Sequence, residues 1–262
     1  MRIYILADLE GTAGVVDFES QTYSSGKYYE MAKELATEEI NAACEGALEA
    51  GAKEIVVLDG HGPGGIVPEK IHPEIKLIQG RPLPVTFLLE QGWDCVFLMG
   101  HHAMNGTEKG NLNHTESSRS IVKMLLNGKE IGEIGIAFYL AGHFNIPVSL
   151  ISGDEAACIE ATMYNPDVEK AVVKWGITRT SAVSLSPAKA RQVIRKAAAN
   201  AVRKTANIKP VRMEGSCELI IEFISSSDAF YRQYKTGIDS LNPRTIRIKG
   251  ASFIDVWKGY FS

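Results

Sequence analysis

The sequence predicts an α/β protein with a mostly parallel central sheet flanked by helices, and with a smaller C-terminal α+β region. Two observations lead to this class. Short apolar runs rich in β-branched residues and bounded by glycine recur along the chain, as in strands buried on both faces of a parallel sheet. Two of these runs, at 2–7 and 54–58, enclose an amphipathic stretch at 27–50, which makes a βαβ unit with two parallel strands.

The following elements continue this alternation. Gly51 is a natural stop for the first helix, a short strand is predicted at Ile75–Ile78, and a third buried run covers 94–99. Asn127-Gly128 suits a two-residue type I′ turn, so residues 120–131 are predicted to form a hairpin. A helix, a strand and a second helix then follow, at 132–143, 146–151 and 153–163.

The pattern changes after residue 168. Ser186 and Pro187 have the residue types of an N-cap and a first helical position, and they open a basic helix. Strands are expected at 217–223 and 245–248, with a terminal helix near residue 253. We therefore expect two domains, a larger α/β domain at 1–185 that carries the functional site and a smaller α+β region at 186–262.

Composition excludes several classes of partner. The chain has 262 residues, 45% of them hydrophobic, and a formal net charge of −3, so neither nucleic acid nor a membrane surface is an expected partner. No apolar run approaches the ~18 residues of a transmembrane span. The four cysteines form no Cys-x-x-Cys pair and are expected as buried thiols in a reducing compartment. With a first strand beginning at residue 2, the expected location is cytoplasmic.

Three of the apolar runs end in side chains that bind metals. The first is followed by Asp8-Leu9-Glu10-Gly11, the second by Asp59-Gly60-His61-Gly62, and the third by Gly100-His101-His102. Sites in open α/β sheets form outside the carboxyl ends of the strands, where these side chains would meet. Carboxylates and imidazoles together suit a hard or borderline cation. The sequence therefore predicts a metal site at this edge.

No single segment is specific, because aspartate, glycine and histidine are common where strands turn into loops. Adjacent histidines point in opposite directions, so only one of His101 and His102 should reach a given metal. The loop at 104–115 carries His114 and can fold over the strand ends. Two carboxylates with two or three histidines exceed what one tetrahedral zinc requires, which favours a binuclear site suited to hydrolysis.

On these residues the chain resembles the DppA-type zinc-dependent D-aminopeptidase family. The resemblance extends over nearly the whole chain in the order and spacing of eight segments: Asp8-Leu9-Glu10-Gly11, Asp59-Gly60-His61, Gly100-His101-His102-Ala103, Asn113-His114-Thr115, Gly132-Glu133-Ile134-Gly135, Ala141-Gly142, Ile151-Ser152-Gly153-Asp154 and Leu185-Ser186-Pro187-Ala188. One departure is Leu6, which stands where the family pattern has a serine. We expect it to remove at most a supporting hydrogen bond.

The resemblance implies a set of site residues. It adds Glu133, which the residues alone indicate only as a helix-stabilising carboxylate in a first turn, and it selects His102 over His101. His114 is implied as the catalytic histidine, either a nucleophile or a general acid and base. The five implied ligands hold two Zn2+ ions per subunit: Asp8, Glu10, His61, His102 and Glu133.

The implied function is removal of an N-terminal amino acid, preferably of D configuration, from short peptides, including peptides that contain D-alanine. The implied assembly is a ring-shaped homo-oligomer, expected as a decamer. Two alternatives stay open: a binuclear amidohydrolase acting on a non-peptide amide, and a non-catalytic metal-binding scaffold. A scaffold has no need of the loop histidine His114, which argues against the last.

Overall fold

The computed structural model describes residues 1–261. Within that range the strands are β1 (Arg2–Ala7), β2 (Glu54–Asp59), β3 (Ile75–Ile78), β4 (Cys95–His101), β5 (Ile121–Leu126), β6 (Lys129–Glu130), β7 (Val148–Asp154), β8 (Glu169–Thr178), β9 (Ser181–Ser184), β10 (Cys217–Phe223), β11 (Ile238–Asn242) and β12 (Thr245–Gly250). The α-helices are α1 (Tyr29–Glu49), α2 (Glu133–His143), α3 (Glu155–Tyr164), α4 (Pro187–Lys204), α5 (Ser226–Phe230) and α6 (Phe253–Phe261).

The larger sheet has seven strands in the order β3-β2-β1-β4-β7-β8-β9. Every neighbouring pair is parallel except β8 with β9. The predicted class, a mostly parallel sheet flanked by helices, is confirmed. β1 lies between β2 and β4, with Ala7 beside both Asp59 and Met99. This register brings the ends of the three ligand-bearing runs side by side.

Helices cover both faces of this sheet. On one face α1 and α4 pack against each other, and Gly46 of α1 lies against the backbone of Arg195 in α4. A side chain at Gly46 would collide with that backbone. The other face, with Tyr4 and Leu58, packs into a core shared with α2, α6 and the second sheet. No helix among residues 1–261 combines the length and apolar character that crossing a bilayer requires.

The second sheet is antiparallel and has the order β11-β12-β10-β5-β6. Its β5–β6 hairpin is the one predicted from Asn127-Gly128, and both residues have positive φ, as a type I′ turn requires. The hairpin comes from the middle of the chain and pairs with β10. Helix α4 packs on α1 and β8. The expected division into two domains at residue 186 stays a prediction.

Candidate metal centre

The carboxyl ends of β1, β2 and β4 place their polar side chains at one point. Asp8 and Glu10 follow β1, His61 follows β2, and His102 follows β4. The loop after β1 lies directly on the end of β4, where the Gly11 N–H donates to the Gly100 carbonyl at 2.7 Å. A Cβ on Gly11 would meet the His101 carbonyl, so this approach requires glycine.

The first group of site residues is Asp8, Glu10 and His61, which can each offer a ligand atom within 4.8 Å of the others. His61 Nδ1 lies 3.1 Å from Glu10 Oε2 and 3.3 Å from Asp8 Oδ1. Its other nitrogen, Nε2, lies 2.7 Å from the Thr22 carbonyl and donates to it. The Thr22 carbonyl therefore fixes the hydrogen on Nε2, and Nδ1 faces two carboxylates.

The second group is His102, His114 and Glu133, with ligand atoms within the same 4.8 Å limit. His102 Nε2 lies 3.5 Å and His114 Nε2 3.8 Å from Glu133 Oε1. The two rings stack with centroids 3.9 Å apart. In both rings Nδ1 lies 2.9 Å from a backbone carbonyl, Ala103 for His102 and Leu112 for His114, so both Nε2 atoms are turned into the site.

Asp8 joins the two groups. Its Oδ1 faces His61, and its Oδ2 lies 3.3 Å from His102 Nε2. Three buried atoms at this junction form no hydrogen bond of ordinary geometry, although two of them face each other and the third faces His61: Asp8 Oδ2, His102 Nε2 and Glu10 Oε2. Leaving such atoms unpaired is costly unless a cation binds them. The donor set of oxygen and imidazole nitrogen fits borderline divalent ions such as zinc.

The pKa shifts of the site residues also indicate that this site favours bound positive charge. Burial alone would raise the pKa of Asp8, but His102 and His61 outweigh it and hold that pKa well below its ordinary value. Burial likewise opposes ionisation of Glu133, yet the charge of His102 lowers its pKa to about 2. Burial would lower the pKa of His61, but Glu10 and Asp8 raise it well above its ordinary value. A bound metal ion would take the place of the protons that these side chains hold.

The loop that carries His114 is anchored over the site. The carboxylate of Asp154, at the start of α3, accepts the N–H of Asn111 at 2.9 Å. Arg179 Nε donates to the Asn113 carbonyl at 3.0 Å. His114 is buried and its ring packs edge-on against Phe18. Burial, followed by the nearby charge of His102, lowers the pKa of His114 and so favours its neutral ring.

Two carboxylates reach the site from positions that the residue pattern alone does not reveal. Glu133 opens α2, and its Oε1 accepts the N–H of Glu116 at 2.7 Å. Glu116 was not singled out from the sequence. Burial, with a further contribution from Glu133, raises its pKa to about 8. Neither residue ends a strand of the larger sheet, and the sequence signal for Glu133 came only from the resemblance. His101, the last residue of β4, belongs to neither group.

Comparison with known proteins shows the family. A family model described as D-aminopeptidase matches residues 1–260. The chain belongs to the D-aminopeptidase family. Membership confirms the predicted resemblance and the predicted class of hydrolase, an aminopeptidase.

A sequence match and a solved structure, both from Bacillus subtilis, cover nearly the whole chain. The D-aminopeptidase of strain 168 is 29% identical over 264 residues, which cover 98% of this chain and 94% of the relative. The solved structure of the Zn-dependent D-aminopeptidase DppA, described as a self-compartmentalizing protease, superposes with a TM-score of 0.92 at 26% identity. That match covers 100% of this chain and 96% of the other. The predicted fold class is thus also that of a family member.

Proposed function

We propose that the protein is a zinc-dependent D-aminopeptidase that removes the N-terminal amino acid from short peptides, including those that contain D-alanine. The observation that carries the proposal is the junction at Asp8, whose two carboxylate oxygens face two separate groups of ligand-type side chains. Zinc is supported by the donor set and by the zinc dependence stated for DppA.

Five side chains are proposed to hold two zinc ions, with Asp8 between them. Glu10 and His61 complete one site, and His102 and Glu133 complete the other. When bound, the two ions supply electrophilic activation of the scissile carbonyl and of the attacking water. The protein contributes fixed ligand orientation, because the N–H of the second ring nitrogen of His61 and of His102 donates to a backbone carbonyl.

His114 is proposed to transfer a proton rather than to bind metal. Its Nδ1 is engaged by the Leu112 carbonyl, which leaves Nε2 with a lone pair directed at the site. Nε2 can therefore accept a proton from the nucleophile and deliver it to the leaving amine. His114 also lies close enough to His102 and Glu133 to serve as a ligand. Zinc content of a His114 variant separates these two roles.

The assembly and location are parts of the same proposal. We propose a ring-shaped homo-oligomer, a decamer, because the structural relative is described as self-compartmentalizing. Sedimentation equilibrium should then give the mass of a decamer, and the mass of one subunit would contradict it. All four cysteines are buried free thiols, which suits the cytoplasm as a reducing compartment.

The decisive experiment measures hydrolysis of matched D- and L-aminoacyl amides by metal-free protein with and without added zinc. Release of the D-amino acid only after zinc addition, with two zinc ions bound per chain, is the expected result. Turnover confined to non-peptide amides would favour the alternative amidohydrolase. Zinc binding without turnover of any amide would favour the scaffold.

A further inference from the structure

A cavity of about 810 Å3 opens beside the metal centre. Metal-facing side chains, among them Asp8, His61 and Glu133, form one end of it. The remaining surface is mostly apolar and comes from the larger sheet, from α2, from α6 and from the segment 81–89 between β3 and β4. Its size is typical of pockets that enclose a small ligand. A group held in this space would therefore lie against the reacting centre.

The apolar floor of the cavity runs directly up to the metal-facing carboxylate of β1. Side chains alternate along a strand, so Tyr4 and Leu6 lie on the same face of β1 and Asp8, just after the strand, continues that face; all three line the cavity. Leu58 lies beside Leu6 in the neighbouring strand and also lines it. Leu6 and Leu58 thus form an apolar surface next to Asp8.

The opposite wall is apolar as well. Ala137 and Leu140 of α2 contribute to it, together with Trp257 of α6. The one polar atom of the Trp257 ring, Nε1, donates to the Val85 carbonyl at 3.1 Å. The protein therefore uses that donor itself, and the wall offers a ligand mainly apolar surface. Such a wall favours a large apolar side chain through the hydrophobic effect.

Glu116 places an unpaired carboxyl group in this cavity. Its backbone N–H is bound to Glu133, so the residue is fixed next to the metal centre. No hydrogen bond or ion pair joins the Glu116 carboxylate to another of residues 1–261. The cation nearest in the chain, Arg119, also lines the cavity but binds Glu19 at 3.1 Å and covers the Tyr23 ring. A ligand ammonium group would supply the missing charge-assisted hydrogen bond.

We propose that this cavity binds the N-terminal residue of the peptide, with a large apolar side chain against Leu6 and Leu58 and the α-ammonium group at Glu116. The inference rests on the aminopeptidase function proposed above. In an N-terminal residue the ammonium nitrogen lies about 2.5 Å from the carbonyl carbon of the scissile bond. The ammonium site must therefore adjoin the metal centre, as Glu116 does through Glu133.

Side-chain preference is tested with zinc-loaded enzyme on phenylalanine amide and alanine amide of the preferred configuration. We expect kcat/KM to be at least ~10-fold higher for the phenylalanine substrate. Ala137→Phe, which narrows the cavity, should reduce that ratio by ~10-fold or more, and Leu6→Ser should reduce it less. Thermal unfolding checks that both variants fold. If Ala137→Phe does not fold, Leu6→Ser still tests the side-chain preference.

Ammonium binding is tested with Glu116→Gln, which keeps the size of the side chain and removes its charge. KM for aminoacyl amides should rise by ~10-fold or more, while the variant loses discrimination against the 3-phenylpropanoyl amide, which lacks the amine. The matched control is Glu108→Gln, an exposed glutamate of the same loop that lies outside the cavity lining. Equal KM values for Glu116→Gln and Glu108→Gln would overturn the role of Glu116.

The outcomes also separate this inference from the function on which it rests. Hydrolysis of both amides with an alanine preference, or with a ratio that neither cavity variant alters, would overturn the inference and leave the aminopeptidase function standing. Failure of zinc-loaded wild-type enzyme to hydrolyse either amide would overturn both.

Discussion

The two groups of metal-facing side chains differ in how the chain supplies them. Asp8, Glu10 and His61 all follow adjacent strands, and their positions are set by the β1–β2 register. The second group draws on a strand end, on the loop residue His114 and on the first residue of α2, Glu133. A group made by one sheet edge depends mainly on strand pairing. A group made from three kinds of element depends on whatever holds those elements together.

The contacts that support each group reflect this difference. Lys174 of β8, fully buried, donates to the carbonyls of Glu10 at 2.5 Å and Val15 at 2.6 Å, and so holds the loop of the first group. Asp154 holds the loop of the second group through Asn111 and also caps α3 through the N–H of Ala157. Substitutions that affect both groups, one group or one supporting residue should therefore differ in their effects.

The largest effect is expected where the groups meet. Asp8→Asn removes the charge that faces both His61 and His102. Zinc should fall from two ions towards none, and kcat/KM should drop by ~10³-fold or more, because metal activation is worth several kcal/mol. Metal analysis and amide hydrolysis measure the two quantities. Full activity with two bound ions would show that Asp8 does not join the two zinc sites.

A smaller loss is expected when only the second group is altered at His114. His114→Ala should leave both zinc ions in place and lower kcat by ~10²-fold or more, as for removal of a proton-transfer residue. Single-turnover kinetics together with zinc content provide the measurement. Loss of one zinc ion would instead identify His114 as a ligand, and unchanged turnover would remove it from the mechanism.

Substitution of a residue that supports only one group should weaken zinc binding at that site and not at the other. Lys174→Met keeps the length of the side chain but loses both donated hydrogen bonds, so zinc should bind ~10- to 100-fold more weakly at the first site. Isothermal titration of metal-free protein would show one weakened site and one nearly unchanged site. Equal weakening of both sites would mean that Lys174 supports the whole fold rather than the loop of Glu10.

The corresponding substitution for the second group is Asp154→Ala. It leaves the buried N–H groups of Asn111 and Ala157 without an acceptor, which should cost about 1–3 kcal/mol in the free energy of unfolding. Because the loop of His114 loses its anchor, kcat should fall while the first site retains zinc. Urea unfolding and metal analysis test this, and a stable variant with full activity would contradict it.

The remaining expected effect is on the stability of the unaltered protein. Asp8 Oδ2, Glu10 Oε2 and His102 Nε2 are buried without well-formed hydrogen bonds, and a bound cation would give them direct partners. Free zinc at ~100 times its dissociation constant should therefore raise the free energy of unfolding by about 2.7 kcal/mol per site. Differential scanning calorimetry with and without a chelator measures the shift in Tm. Identical Tm values would argue against a metal site at this position.

Elements with a clear local pattern of apolar residues or turn residues were predicted from the sequence. The three ligand-bearing strands, the helix after the first of them and the Asn127-Gly128 hairpin are present in the structure. Strands β8 and β9 were not predicted. In β8, charged side chains interrupt the apolar pattern, and Lys174 is buried there because two backbone carbonyls accept its hydrogen bonds. The carbonyls that accept these hydrogen bonds lie far away in the chain. The contact between Lys174 and Glu10 spans a sequence separation of 164 residues.

The sequence by itself determined which strands carry ligand-type side chains, because alternating and buried patterns are local and parallel strands align their carboxyl ends. Tertiary structure decided the rest. It paired β5 with β10 and placed α4 on the larger sheet, and it brought Glu116 and Glu133 from outside that sheet to the metal centre. Such contacts join segments far apart in sequence. Their geometry depends on packing and hydrogen bonding between those segments, which no local periodicity encodes.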